Sequence, residues 1–252
     1  MKLTVLGCSG SVPGPDSPAS GYLIEADGYR LVLDLGHGAY GALQRYVSPN
    51  EVDAVVISHL HADHCIDLTA YIVGLRYGGE GYRLDGPEGR VPIIGVPGTR
   101  DRLEAAYDPL ARKLSLHEIF NFATPADGEL GPFSVSYALM NHPVPTHAVR
   151  IQYQDRSLVY SADTGESPEL VTLAQGADVL LCEASVGRDE ELVPGLHLSG
   201  QLAGEHADKA GVDRLIVTHV PPWNSIQDAA DDAAAAFHGV VETAHPGAEF
   251  WI

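Results

Sequence analysis

Between positions 59 and 64 the chain reads His-Leu-His-Ala-Asp-His, three imidazoles and a carboxylate in six residues. Imidazole nitrogen and carboxylate oxygen are donors that suit borderline divalent metals, zinc above all. Side chains this close in one loop cannot all serve a single ion, whereas two ions a few ångströms apart use them naturally. Three more residues of the same donor types stand far along the chain: His142, Asp163 and His219. Taken singly they have ordinary explanations, His142 as a structural histidine and Asp163 as a core-edge charge that needs a partner. Added to His59, His61, Asp63 and His64 they make seven candidate metal ligands. The competing explanation, a solvated loop that happens to be His-rich, sits badly with the buried strand that runs straight into it.

Those residues need elements that bring them together. Ala54–Ser58 is an apolar, β-branched run ending at His59, the pattern of a buried strand. Phe133–Leu139 runs to Asn141-His142, Ser157–Ser161 to Asp163, and Leu215–Thr218 to His219. Four strands that end in metal-capable residues converge on one sheet edge, where open α/β sheets place their sites. Around them, Gly21–Glu25 and Tyr29–Asp34 read as a hairpin about Asp27-Gly28, and Ala148–Tyr153 pairs with Ser157–Ser161. Helices are expected at Gly38–Tyr46, Asp67–Leu75 with Asp67 as N-cap, Thr99–Leu110, Glu169–Gln175, Ser199–Ala210 ended by Gly211, and Ile226–Phe237. Tyr77–Gly89 reads as a loop, and Val241 onward as one closing strand.

Fifteen Lys and Arg against 34 Asp and Glu give a formal charge of −19. Such a surface repels polyanions, and no basic cluster is present to grip a long nucleic acid or an anionic membrane. No apolar run approaches the ~18 residues of a membrane span. Cys8, Cys65 and Cys182 form no paired pattern, so a reducing, cytoplasmic setting is expected. An apolar content of 45% supports a full core, read as one domain over residues 1–252.

HLHADH, followed by His142, Asp163 and His219, resembles the metallo-β-lactamase superfamily over essentially the whole chain. The resemblance implies an α/β architecture, a four-layer αβ/βα sandwich with two mixed β-sheets. It also implies that His59, His61 and His142 hold one metal, that Asp63, His64 and His219 hold the second, and that Asp163 bridges them. The flavodiiron branch has Glu in place of His61, which disfavours a redox role.

Leu6-Gly7-Cys8-Ser9-Gly10-Ser11-Val12-Pro13 is similar to the opening loop of the ribonuclease Z group. Cys182-Glu183-Ala184-Ser185 and Leu196-His197-Leu198-Ser199-Gly200 resemble the pair in which a glutamate orients a histidine that protonates the leaving oxygen. The tRNA-gripping arm of that group has no room between His142 and Asp163, and Val220-Pro221-Pro222-Trp223 replaces its basic sequence. These segments together resemble bacterial cyclic-nucleotide phosphodiesterases of the superfamily. The resemblance therefore implies a two-metal phosphodiesterase acting on a small phosphodiester such as 3′,5′-cyclic AMP. Catalytic roles fall to Asp63, Glu183 and His197. The cofactors are two divalent ions, zinc first, with manganese and iron accepting the same donors. Relatives often form homodimers. Rival readings are a tRNA 3′-end endonuclease, a lactonase or thioesterase, and a zinc-stabilised binding module. His147 reads as a strand-start residue or a substrate contact, Trp223 as a base-stacking or core residue, and Asp34 as a partner behind a ligating histidine.

Overall fold

The computed structural model describes residues 1–78, 90–108 and 116–252. Among the described residues, fourteen strands form two seven-stranded sheets. The first takes the order β14 (Glu249–Trp251), β1 (Lys2–Gly7), β2 (Gly21–Ala26), β3 (Tyr29–Leu35), β4 (Ala54–Ile57), β5 (Val91–Gly95) and β6 (Phe120–Ala123). The second runs β13 (Val240–Thr243), β12 (Arg214–Thr218), β11 (Val179–Glu183), β10 (Arg156–Tyr160), β9 (His147–Tyr153), β8 (Phe133–Leu139) and β7 (Gly128–Leu130). Each sheet is antiparallel at one side and parallel at the other, so both are mixed. Helices cover the outer faces, which is the αβ/βα sandwich expected.

Side-chain alternation explains the layering. In β3, Leu31 and Leu33 face the second sheet, and Val32 and Leu35 face outward. In β10, Leu158 and Tyr160 point inward while Val159 points out. Period-two chains with both sets apolar can be buried on both faces. The inner core joins Leu3, Val5, Tyr22, Ile24, Phe133, Ile151 and Ile216. Outside the first sheet lie α1 (Ala39–Leu43), α2 (Ala62–Cys65), α3 (Leu68–Tyr77) and α4 (Thr99–Tyr107); outside the second lie α5 (Pro168–Ala174), α6 (Gly200–Ala210) and α7 (Ile226–Ala236). Ser167, Ser199 and Ser225 cap the last three by accepting from Leu170, Leu202 and Asp228 backbone N–H groups. Gly211 ends α6 in the left-handed region, as expected. No helix among the described residues is long and apolar enough to cross a membrane.

Several expectations need correction. The segment after Val241 is two strands, not one: β13 stays in the second sheet, and β14 crosses to the first to pair with β1. Pro246-Gly247, with Gly247 at φ 85°, breaks the run between them. Strands β6 and β7 were not anticipated, because both are short and only partly buried. Asp67 stands at the N-cap of α3 without capping it; its Oδ2 accepts instead from Tyr40 N–H, 3.1 Å away in α1. The first helix is shorter than expected. The loop expected at Tyr77–Gly89 and the last two residues of the helix expected at Thr99–Leu110 lie largely outside the described residues.

Glycine is required where β3 passes α2, since a Cβ on Gly36 would overlap the Asp63 carbonyl oxygen. Gly36→Ala should therefore destabilise the protein by about 1–3 kcal/mol, the usual cost of overpacking. Gly41→Ala, whose new methyl meets nothing within 4 Å, should be neutral or stabilising. Denaturant midpoints of the two variants measure the contrast.

Candidate metal centre

The seven expected ligands come together at the carboxyl ends of four strands. His59 and His61 follow β4, and Asp63 and His64 follow them on α2, all from the first sheet. His142 follows β8, Asp163 follows β10 and His219 follows β12, all from the second. The side chains form two four-donor groups: His59, His61, His142 and Asp163, then Asp63, His64, Asp163 and His219. Asp163 belongs to both, and each group draws on both sheets.

The spacing tests whether a metal fits. Donors about 2.0–2.1 Å from a tetrahedral ion lie about 3.4 Å from each other. In the second group His64 Nε2 is 3.0 Å from His219 Nε2, 3.3 Å from Asp63 Oδ2 and 3.2 Å from Asp163 Oδ1. His219 Nε2 is 3.2 Å from Asp63 Oδ2 and 3.4 Å from Asp163 Oδ1. In the first group His61 Nδ1 is 3.0 Å from His59 Nε2 and 3.3 Å from His142 Nε2, while His59 Nε2 is 3.6 Å from Asp163 Oδ2. Asp163 Oδ1 is buried with no hydrogen-bond partner, an expensive state for a carboxylate oxygen unless a cation meets it. Each group can hold a metal ion.

The opposite edges of the rings are spoken for, which fixes which nitrogen points inward. His64 Nδ1 faces Asp34 Oδ2 at 2.7 Å. Asp34 also accepts from Ser58 N–H and Oγ–H, both at 2.7 Å, and from Tyr160 OH at 2.9 Å. Ser58 Oγ in turn lies 3.0 Å from His59 Nδ1. Asp34 is thus the partner behind a ligand that its sequence position suggested. His142 Nδ1 donates to Leu196 O at 2.9 Å, and His219 Nδ1 sits 2.8 Å from Ser185 Oγ, which donates to His219 O. Sequence reasoning did not assign Ser58, Tyr160 or Ser185 a role. The signals were present only as adjacency: Ser58 directly precedes His59, and Ser185 ends the Cys-Glu-Ala-Ser segment.

Backbone strain gathers here. Asp34, Ala162 and His219 have φ of 55°, 51° and 56°, left-handed values that cost non-glycine residues on the order of 1 kcal/mol each. Each turn redirects the chain at a strand end toward the cluster.

Charge follows from position. Burial pushes the His59, His61 and His142 pKa values down, favouring the neutral, ligating imidazole. Burial opposes charge on His64 too, but the Asp163 and Asp34 carboxylates outweigh it and hold that imidazole well above its ordinary pKa. Burial also works against the Asp63 and Asp163 carboxylates. Hydrogen bonds from His219 and His64 on Asp63, and the surrounding imidazoles of His219, His64 and His59 on Asp163, keep both well below the usual carboxylate range.

Beside the second group stands a third cluster, Glu183, His197 and His219. Glu183 is fully buried at the end of β11 and accepts from Thr164 N–H (2.7 Å), Ser185 N–H (3.2 Å) and His197 Nδ1 (2.9 Å). The His197 ring lies 5.5 Å from that of His142 and 5.7 Å from that of His219. Burial lowers its pKa, but Glu183 more than compensates and raises it to about 9. His147 is the first residue of β9; its N–H bonds Ser58 O across the two sheets. Trp223 is 62% exposed and donates to Glu190, so it is not a core residue.

Residues 29–220 match the family model described as a beta-lactamase superfamily domain. The chain is 45% identical to a protein of Mycobacterium leprae (strain TN) described as uncharacterized, covering 99% of this chain and 88% of that one. It is 31% identical to the probable metallo-hydrolase YhfI of Bacillus subtilis (strain 168), with 98% of each covered. The crystal structure of YhfI superposes with a TM-score of 0.84, at 28% identity over 99% of this chain and 98% of that one. Ribonuclease Z of Mycolicibacterium gilvum (strain PYR-GCK) is 28% identical, covering 88% of this chain and 85% of it.

His59→Ala and Asp163→Ala should each lose bound metal outright, because the ligand itself is gone. Ser185→Ala should retain it with an affinity ~10–100-fold weaker, the usual effect of losing a group behind a ligand. For the unaltered protein, cation binding competes with the proton that Asp163 and Asp34 keep on His64, so affinity should rise with pH. Chelator-competition titrations at several pH values check all three.

Proposed function

The chain belongs to the beta-lactamase superfamily and is a metal-dependent hydrolase; from that premise we propose that it is a two-metal phosphodiesterase acting on small phosphodiesters such as 3′,5′-cyclic AMP, which it converts to 5′-AMP. The observation that carries the reading is the pairing of buried Glu183 with half-buried His197 beside the donor groups. Phosphodiester cleavage expels an alkoxide, and a poised imidazolium is the group that can protonate it. Lactone, thioester or lactam hydrolysis has no special need of such a pair.

Two divalent cations, zinc foremost and manganese or iron suited to the same donors, would be held by the two groups, and when bound they acidify a water and neutralise phosphoryl oxygens. Asp63 would help hold the second cation through Oδ2, and its carboxylate is the group assigned to hold or accept the proton of the attacking water. Asp163 sets the spacing between the groups. His197 commits Nδ1 to Glu183, which leaves Nε2 to hand its proton to the departing ribose 3′-oxygen. Glu183, held by two backbone N–H groups, stays put through that transfer. Trp223 offers an exposed aromatic face on which a base can stack.

The charge of −19 supports a small substrate. Between His142 and Asp163 the chain passes through β9 and β10 with only a tight turn, so no RNA-gripping arm arises there. A cyclic nucleotide brings one negative charge to the centre, whereas a tRNA must also lie against the acidic surface. A cytoplasmic setting is part of the same proposal, supported by three buried cysteines that are free.

A substrate panel tests this: cyclic AMP, an aryl phosphodiester, a precursor tRNA, a lactone and a lactam, across a salt series with metal content measured. The expected result is turnover of cyclic AMP with modest salt dependence and about two metals per chain. Site-specific tRNA trimming without cyclic AMP turnover would move the chain to the ribonuclease Z branch, and preference for a lactone would sink phosphoryl chemistry.

His197→Ala should keep its metal and lose turnover by ~10²–10⁴-fold, the scale of a general acid. The acid works only while protonated, so activity should fall as pH rises through the His197 pKa, near 9 and lower with cations bound nearby. Glu183→Gln removes the charge that raises this pKa, so the alkaline fall should begin at lower pH.

A further inference from the structure

We propose that Tyr160 is a positioning residue for the second donor group, holding the two sheets in the register at which His64 and Asp163 can share one cation. The inference rests on the metal-centre part of the function proposed above, though not on the identity of the substrate.

The argument is a closed ring of contacts. Tyr160 is the last residue of β10, and Asp163 lies three residues beyond it on the same strand end. The Tyr160 hydroxyl donates to Asp34 Oδ2 across the inter-sheet core at 2.9 Å. The same oxygen meets His64 Nδ1 at 2.7 Å. The far nitrogen of that ring, Nε2, lies 3.2 Å from Asp163 Oδ1, the buried oxygen without a hydrogen-bond partner. The path thus runs from the second sheet through a carboxylate and an imidazole of the first, then back to the second sheet. Every member is buried. Ser58 also bonds Asp34, and its carbonyl oxygen takes the His147 N–H from the second sheet, but that tie is a backbone bond outside the ring and is the same in either tyrosine variant. Tyr160 is the member of this ring that reaches Asp34 from the second sheet, so its removal leaves Asp34 and His64 intact but frees them to move relative to Asp163. Asp34 would lose one of the donors on Oδ2 and keep the other two.

A neighbouring residue supplies a matched control. Tyr22 is equally buried, its ring centroid is 5.1 Å from that of Tyr160, and its hydroxyl also crosses between the sheets, to Thr218 Oγ1 at 2.7 Å. It touches neither Asp34 nor a metal-capable side chain through that bond. Tyr160→Phe and Tyr22→Phe therefore each delete one buried inter-sheet hydroxyl, and only the first opens the ring.

The experiment is a stepwise zinc titration of the metal-stripped protein and both variants against a competing chelator, with the unfolding temperature of each metal-free form measured alongside. Both variants should show a similar modest drop in unfolding temperature. Tyr160→Phe should weaken the binding of one of the two zinc ions by ~10–100-fold and leave the other within a few-fold of the unaltered protein. Tyr22→Phe should leave both within a few-fold. Unchanged zinc affinity in Tyr160→Phe, or equal weakening in both variants, would overturn the proposal. Failure of cyclic nucleotide turnover would leave the result intact, because the readout needs no substrate. Binding of a single zinc by the unaltered protein would instead refute the two-metal reading itself.

Discussion

The structure is organised around a charge it cannot leave alone. Asp163 is a carboxylate buried between two sheets, with one oxygen that no protein donor satisfies. In a protein interior such a group is tolerated only if positive charge comes to it. His59, His64 and His219 close on it from both sheets, and their joint pull holds it ionised against burial. Much of what is unusual nearby follows from delivering those rings: the left-handed turns at Ala162 and His219, and the glycine that lets α2 press against β3. The inner core supplies the leverage. Large apolar side chains fully removed from water stabilise by about 1.5–3 kcal/mol each, ample to offset a few strained residues at the rim.

The two halves of the chain make equivalent contributions by equivalent means. Each builds most or all of one mixed sheet, the second half also lending β14 to the first sheet, and each sends candidate ligands from strand ends to the shared rim. Neither half owns a complete donor group, since His142 and Asp163 complete the first and Asp63 and His64 complete the second. Chemistry is therefore conditional on assembly: a half-formed protein has histidines but no metal-holding geometry. This coupling makes the inter-sheet seam at the donor groups, with its Tyr160–Asp34 bond and the His147–Ser58 backbone bond, part of the functional apparatus.

How much of this was legible in the sequence depended on the range of the interaction. HLHADH announced itself because its donors are neighbours in the chain, and His142, Asp163 and His219 could be found because each ends an apolar run. Asp34 was legible as a carboxylate after a strand. Ser58, Tyr160 and Ser185 escaped because a serine or tyrosine has no donor preference that singles it out; its partner is set by how the sheets oppose each other. Asp67 misled for a related reason: its position suited a cap, but the nearer unsatisfied N–H belonged to another helix. The last two strands were read as one because apolar patterning does not say which sheet a segment joins, although Pro246-Gly247 marked the break. Trp223 could not be placed by composition at all, and its exposure was decided by its tie to Glu190.

The crossing of β14 to the first sheet has a consequence for the life of the nascent chain. Strand β1 is made well before β14, the neighbour that covers its outer side. Throughout synthesis that side of β1 displays unpaired backbone groups next to the apolar Leu3 and Val5, the kind of margin that invites pairing with another chain. Contacts between such distant segments also form late, because the loop they close contains all the other described elements. The first sheet thus begins early and is sealed only when β14 arrives, and in that interval the open side of β1 is the margin most exposed to pairing with another chain.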